Sequence, residues 1–188
     1  ALNLINKLGF SCLRTDASSV VDANYEALQD PQWIKTLQQG YEQYPDIVPL
    51  IITGDYSAGA ISQYSRTDPE YPQALENYKK YVRTLAEKIG PGKKYYDIEN
   101  EWYLRKKANG EASDIEVFAD AIMASSDVIR EVNPDAVITV DISDKEGWTD
   151  KVVEELNKHG GVKKYIDVLN IHSYMAFHVA LWPEQYLE

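Results

Sequence analysis

Apolar positions along this chain switch repeatedly between two periods, and each switch marks an element boundary. Leu2, Ile5 and Leu8 recur at helical spacing over residues 1–9, with Gly9 placed as a C-cap. Residues 10–16 then read as a short strand. Asp30 and Pro31 open a helix at its N-cap and first-turn positions, and Trp33, Ile34 and Leu37 carry it toward Gly40. Residues 46–53 form a continuous apolar run, too short for a helix and rich in Ile and Val, and predict a buried strand. The alternation continues with an amphipathic helix over 71–89, closed by Gly90-Pro91-Gly92, and a strand over 95–100. A helical stripe over 114–132 is broken by Asn133-Pro134-Asp135, and a strand follows over 136–141. The pattern ends with a helix over 150–159, a stop at Gly160-Gly161, and a strand over 165–172.

Five strands alternating with helices, each apolar enough to be covered on both faces, predict a parallel α/β sheet in one domain spanning 1–188. No Gly-x-Gly-x-x-Gly or phosphate-cradling loop follows any strand, which argues against dinucleotide and nucleotide binding. A TIM (β/α)8-type barrel remains, incomplete in this chain because only five of its eight strands are legible.

Composition narrows the partners. The 188 residues carry a formal charge of −11, so nucleic acid and anionic membrane surfaces are excluded as partners. Fourteen tyrosines and four tryptophans supply amphipathic aromatic faces of the kind that suit sugar rings. The single cysteine, Cys12, rules out an intrachain disulfide, and its apolar neighbours predict a small core residue. No apolar run reaches the length of a spanning helix, and the N-terminus has no basic-then-apolar signal pattern. No motif implies a cofactor.

Parallel sheets bind ligands at the carboxyl ends of their strands. In chain order those ends carry Arg14 and Asp16, Thr53 and Asp55, Asn100 and Glu101, Asp141, then His172 and Tyr174. Arg14 either neutralises nearby carboxylates or orients a catalytic one. Asp55 reads as a loop residue or a ligand contact, and Asp141 as a helix cap or a substrate contact. His172 and Tyr174 share a strand face, from which they would bond a ligand or hold a carboxylate. Asn100-Glu101 sets a carboxyl group beside an amide, with Trp102 and Tyr103 adjacent as a sugar-binding wall. Strand alternation puts Glu99 on the same face as Glu101, where its charge would raise the pKa of one of the two. His159, His172 and His178 are too scattered for a metal site, and no Gly-x-Ser-x-Gly elbow is present.

The order of these strand ends resembles the clan A glycoside hydrolases, (β/α)8 barrels that cleave glycosidic bonds with retention, and families 39, 5 and 30 in particular. Residues 8–14 resemble the second-strand entry with its arginine, residues 81–90 the helix before the fourth strand, and Asn100-Glu101 the Asn-Glu at that strand's end. Residues 129–136 resemble the turn before the fifth strand, and residues 167–174 the sixth strand with its His and Tyr. The resemblance implies Glu101 as general acid/base, Asn100 on the sugar 2-hydroxyl, and Arg14, His172 and Tyr174 arranging the catalytic carboxylates. It implies a carbohydrate substrate, and favours a secreted or cell-surface setting. The family's Trp-Asn-Glu-Pro is here Glu99-Asn100-Glu101-Trp102, so both flanks depart. In this register the family's strands one, seven and eight have no counterpart. The nucleophilic glutamate of its seventh strand is unmatched, with Glu184 and Glu188 falling too soon after the sixth. The expectation is therefore a barrel completed by a further segment or another chain, or else a non-catalytic glycan-binding or assembly protein on a partial scaffold.

Overall fold

The structure, a computed structural model, describes residues 7–9, 12–16, 20–29, 32–44, 46, 48–55, 57, 59–92, 94–142 and 147–171. Its centre is one parallel sheet of five strands: β1 (Cys12–Asp16), β2 (Val48–Ile52), β3 (Tyr95–Ile98), β4 (Val137–Ile142) and β5 (Val168–Ile171). Spatial order follows chain order, each strand lying parallel to the next. Crossovers between parallel strands share one hand, so a sheet that always steps in one direction keeps its helices on one face. That is the winding of a barrel wall, not of a doubly wound sheet.

The helices are α1 (Gln32–Gln43), α2 (Tyr71–Ile89), α3 (Ile115–Val132), α4 (Trp148–Asn157) and the single turn α5 (Val162–Tyr165). Helix α2 buries Ala74, Tyr78, Tyr81, Val82 and Leu85, the i, i+3, i+4 stripe that an amphipathic helix turns toward a core. Its C-cap Gly90 takes φ 79° and donates its N–H to the Ala86 carbonyl, a conformation that costs glycine nothing. Helix α3 carries a wider buried stripe and ends where Asn133 donates to the Ile129 carbonyl ahead of Pro134. A buried hydrogen bond of 3.0 Å between the Tyr78 and Ser125 hydroxyls joins the two helices.

One sheet face is sealed: Ile51, Tyr96, Ile98, Ile138 and Val140 are at most 1 % exposed. The opposite face carries Arg14, Asp97, Thr139, Asp141 and Asn170, with Leu50, Tyr95 and Val137 half-buried on the same face in register with Arg14. Coverage on both faces, expected from the apolar strands, is therefore not seen among the described residues. The second face is the inward, polar-topped surface of a barrel wall. Cys12 likewise departs from its expected core position: it is exposed and lines a cavity of about 360 Å³ on that face with Leu50, Tyr95 and Asn170. Its strand alternation puts it on the inner side.

Candidate active site

At its carboxyl end β3 does not continue as a strand. Beyond Ile98 the chain turns sharply because Glu99 (φ 62°) and Glu101 (φ 50°) both adopt left-handed backbone, and a 3-10 turn over Trp102–Leu104 follows. Non-glycine residues rarely adopt this region, and their occurrence clusters at functional sites. The remaining non-glycine residue with positive φ among those described is Tyr25 (φ 58°). Its hydroxyl donates to Asp55 Oδ2 at 2.9 Å, at the end of β2. Glu101 lines a cleft of about 370 Å³ with Asp55, Ser57, Asn100, Leu104 and Arg105 among others, and Glu99 and Tyr25 both bond to Asp55 at its edge.

The inner side of this cleft is organised by Arg14. Its Nη2 donates to Asp97 Oδ2 at 2.9 Å and to Asn100 Oδ1 at 2.8 Å, while Nε reaches the same Asp97 oxygen at 3.2 Å. Asp141 Oδ2 lies 3.5 Å from the guanidinium and accepts the main-chain N–H of Glu101 at 3.3 Å. Asn170 donates to Asp141 Oδ1 at 3.0 Å, and the Thr139 hydroxyl donates to Asp97 Oδ1 at 3.0 Å. Strands β1, β3, β4 and β5 thereby share one polar network. Asp97 is fully buried, a position that a carboxylate tolerates when charge and hydrogen bonds surround it.

Glu101 is half-buried, and the Tyr103 hydroxyl donates to its Oε1 at 3.5 Å, the outer limit of a hydrogen bond. Glu99 has a different environment. It is 1 % exposed, its Oε2 lies 2.5 Å from Arg105 Nη2, and its Oε1 accepts the N–H of Asp55 at 3.3 Å. Burial pushes its carboxyl from the ordinary 4.5 up to about 7, partly offset by the Arg105 charge and the Asp55 N–H, while the Asp55 carboxylate raises it. The shared face expected for Glu99 and Glu101 does not form, because the two left-handed residues break strand alternation. The perturbing groups around Glu99 are Arg105, Asp55 and Tyr78.

Arg14, Asp55, Asn100, Glu101 and Asp141 are thus brought to one end of the sheet. Asp55 lies in the loop after β2, lines the cleft and accepts the Ser57 N–H at 2.9 Å. Asp141 accepts the Glu101 main-chain N–H, and the N-cap of the helix that follows β4 is Gly147. Trp102 is a correction. It is 1 % exposed, stacks on Phe118 with centroids 5.0 Å apart, and donates Nε1–H to the Asp114 carbonyl at 3.2 Å, so it offers no face to a sugar. Tyr103 keeps a half-buried position on the cleft side, its ring edge-on to Trp148. The Asp16 side chain, His172 and Tyr174 lie outside the described residues. Asp97 and Asn170 were not anticipated, although a carboxylate in the middle of an apolar strand is itself a signal that a cation faces it. Among the described residues no three His, Cys, Asp or Glu side chains converge on a metal-sized site, and no helix is long and apolar enough to cross a membrane.

No protein-family model matches the chain, and no curated protein sequence does. Solved structures do match. A family 39 glycoside hydrolase from the gut symbiont Bacteroides cellulosilyticus WH2 superimposes with TM-score 0.61 and 19 % identity, covering 93 % of this chain and 35 % of that one. A GH5-4 broad specificity endoglucanase from an uncultured bacterium gives TM-score 0.59 and 14 % identity, covering 92 % and 55 %. An endo-1,4-beta-mannanase from Eisenia fetida gives 0.55 and 13 %, covering 92 % and 59 %. At these identities the likeness is one of fold: a partial TIM barrel of the kind found in clan A glycoside hydrolases. The chain spans between 35 % and 59 % of the length of these proteins.

Proposed function

We propose that this chain forms part of a retaining O-glycoside hydrolase acting on an oligo- or polysaccharide, with Glu101 as the general acid/base. The observation that carries the reading is the Asn100-Glu101 pair, held at a strand's carboxyl end in an open cleft by the Arg14 and Asp141 network. A retaining reaction uses two carboxyl groups roughly 5–5.5 Å apart, one attacking the anomeric carbon and one donating a proton to the leaving oxygen. Glu101 supplies the second role, protonating the glycosidic oxygen and then, as carboxylate, taking a proton from the water that releases the sugar. Asn100 contacts the sugar 2-hydroxyl, Asp55 and Tyr103 border the bound ring, and Arg14 and Asp141 fix the turn from below. We assign the nucleophile to the remainder of the barrel, contributed by a further segment or another chain. The 188 residues alone then bind carbohydrate and turn it over slowly or not at all.

Glu101→Gln in the complete protein tests the assignment. kcat/KM for oligosaccharides falls by about 10²- to 10⁴-fold, the usual contribution of a positioned acid, while kcat/KM for 2,4-dinitrophenyl glycosides, whose leaving group needs no proton in the bond-breaking step, falls far less. Equal turnover of both substrates by the variant and the parent would remove Glu101 from the role. A second reading, a non-catalytic glycan-binding protein, is favoured by the buried Trp102 and ion-paired Glu99 that flank Asn100-Glu101. Oligosaccharide affinity without product release by the complete protein selects it.

A further inference from the structure

The turn that presents Asn100 and Glu101 is bracketed by a buried ion pair which the acid/base chemistry itself does not use. Glu99 immediately precedes the pair, and Arg105 follows one turn later. Their side chains, 1 % and 11 % exposed, meet at 2.5 Å behind the turn. Arg105 reaches three other parts of the site. Its Nη1 donates to the Asp55 carbonyl at 2.9 Å, its guanidinium lies 5.9 Å from the centre of the Trp102 ring, and its main chain bonds to Trp102 and Ser113. Glu99 in turn accepts the Asp55 N–H, so both members of the pair hold the end of β2 as well.

The geometry points to Glu99 and Arg105 as positioning residues that set the direction of the Glu101 carboxyl by clamping both ends of its turn onto the β2 loop. The inference rests on the proposed acid/base role of Glu101. Two departures into left-handed backbone, with one ordinary residue between them, persist only where surrounding contacts over-determine them. The contacts that hold this turn include the ion pair, the Glu99 N–H bond to the Thr53 hydroxyl, the Asp141 bond to the Glu101 N–H, and the bond from the Leu104 N–H to the Glu101 carbonyl. The ion pair spans the turn from one side to the other. A hydrophobic pair of the same volume would fill the space without the attraction that draws the two sides of the turn together, because opposite charges in a buried setting hold each other far more strongly than packed methylenes do. The strong rise in the Glu99 pKa is the consequence of placing the carboxylate where it can reach Arg105 but not water.

The test compares Glu99→Gln, Arg105→Lys and Arg105→Met with Glu101→Gln in the complete protein. Two readouts are used: hydrolysis of 2,4-dinitrophenyl and unactivated oligosaccharide substrates, and the backbone amide resonances of Asn100 and Glu101 by NMR. Positioning predicts that Glu99→Gln lowers kcat on unactivated substrate by about 10²-fold, the cost of an ångström-scale misplacement, with KM nearly unchanged and the activated substrate spared. Both amides shift, and Arg105→Lys, which keeps the charge, recovers more than Arg105→Met. A pair that only stabilises the fold lowers Tm but leaves the kcat contrast and the two amides where they were, which overturns the inference. If Glu99→Gln does not fold, Arg105→Lys decides by the same readouts. If Glu101→Gln itself leaves turnover intact while the amides move in Glu99→Gln, the acid/base reading falls and the clamping of the turn stands.

Discussion

The carbonyl oxygen of Asn100 accepts a hydrogen bond from Arg14 at 2.8 Å, and this contact fixes which end of the amide meets a ligand. A guanidinium only donates, so Oδ1 must face Arg14 and the NH2 group turns away from it. Asn100 also lines the cleft, so it is a donor to whatever binds there. Asn100→Asp keeps an acceptor for Arg14 and deletes the donor. We expect the variant to fold with a near-native Tm and to bind oligosaccharides about tenfold more weakly, the worth of one hydrogen bond in a partly buried site. Ligands lacking the contacted hydroxyl should show no difference between the two proteins. Titration calorimetry with matched hydroxyl and deoxy ligands checks it; equal affinities for the hydroxyl ligand would mean that Asn100 does not contact it.

Arg14 also faces Asp97, which is fully buried at the level where β3 and β4 meet. Arg14→Met leaves that carboxylate with Thr139 and Asn170 as its hydrogen-bond donors. Removing one partner of a buried pair costs about 3–5 kcal/mol, and the partial exposure of the arginine reduces this to about 2 kcal/mol. Urea unfolding at pH 7 measures it. Arg14→Lys restores charge but not the forked reach to Asp97 and Asn100, so it should recover stability better than ligand affinity.

Glu99 makes stability fall as pH rises. Its carboxyl titrates near 7 in the folded protein against an ordinary 4.5, so between these values the native state binds more protons than the unfolded one. Its unfavourable contribution is absent below about pH 4.5, grows through the interval, and is complete above about pH 7. The shift corresponds to roughly 3 kcal/mol. Glu99→Gln cannot titrate, so the stability gap between the parent and this variant should move by roughly 2–3 kcal/mol in the variant's favour from pH 5 to pH 8, whatever its offset. Denaturant unfolding at both values decides; a gap independent of pH would mean that Glu99 stays ionised throughout the interval.

Periodicity made most of the barrel wall legible. Helix α2 spans the residues its stripe predicts, and the other described elements fall within a few residues of their expected limits, because Gly90, Asn133-Pro134 and Gly160-Gly161 end helices for local reasons. Helix α5 was missed since four residues carry no period. Alternation does not separate the two faces of β2, because Ile51 and Ile52 lie on opposite faces and apolar composition alone does not say which one packs against helices and which lines a barrel interior. In the candidate site, the strand-end rule named Arg14, Asp55, Asn100, Glu101 and Asp141, and the fold places them together at one end of the sheet. The rule failed at Glu99 and Trp102, where left-handed backbone overrides alternation and redirects the side chains. Arg105 gave no signal: its partner is six residues away across a turn whose shape depends on that partner.

Trp102 and Tyr103 are neighbours in sequence with opposite tasks, and substitution should separate them. Trp102 lies between the Phe118 ring and the Arg105 guanidinium with almost no exposed surface, so Trp102→Ala opens a large cavity at about 3–5 kcal/mol. For a domain of this size the corresponding drop in Tm is of the order of 10 °C. Tyr103→Phe removes only a hydroxyl at 3.5 Å from Glu101 Oε1 and leaves the packing on Trp148 in place. Its Tm should stay within about 2 °C of the parent, while turnover of unactivated substrate changes. Differential scanning calorimetry on both variants separates the roles, and a large loss of Tm in Tyr103→Phe would show that the hydroxyl serves the fold.

The far wall of the cleft depends on Arg66, which ties the loop after β2 to two helices. Its Nε and Nη2 meet the two Asp120 oxygens at 2.8 Å each, and Nη1 meets Glu155 Oε1 at 2.6 Å. The Tyr71 hydroxyl also bonds to Asp120, so α2, α3 and α4 meet at one guanidinium. Glu155 is nearly buried while Arg66 is about one-third exposed, which sets the value of the network between a surface pair and a fully buried one. Arg66→Met should therefore cost about 2 kcal/mol. Salt discriminates the origin of that loss: a surface pair is screened away at 1 M ionic strength, whereas the bidentate, partly buried arrangement retains most of its effect. Urea unfolding of the parent and Arg66→Met at 0.05 and 1 M NaCl should show the same difference within about 1 kcal/mol. A difference that vanishes at high salt would place the network on the surface, and the loop carrying Ser57 to Gln63 would then owe its position to the packing of Ala60 and Ile61 instead.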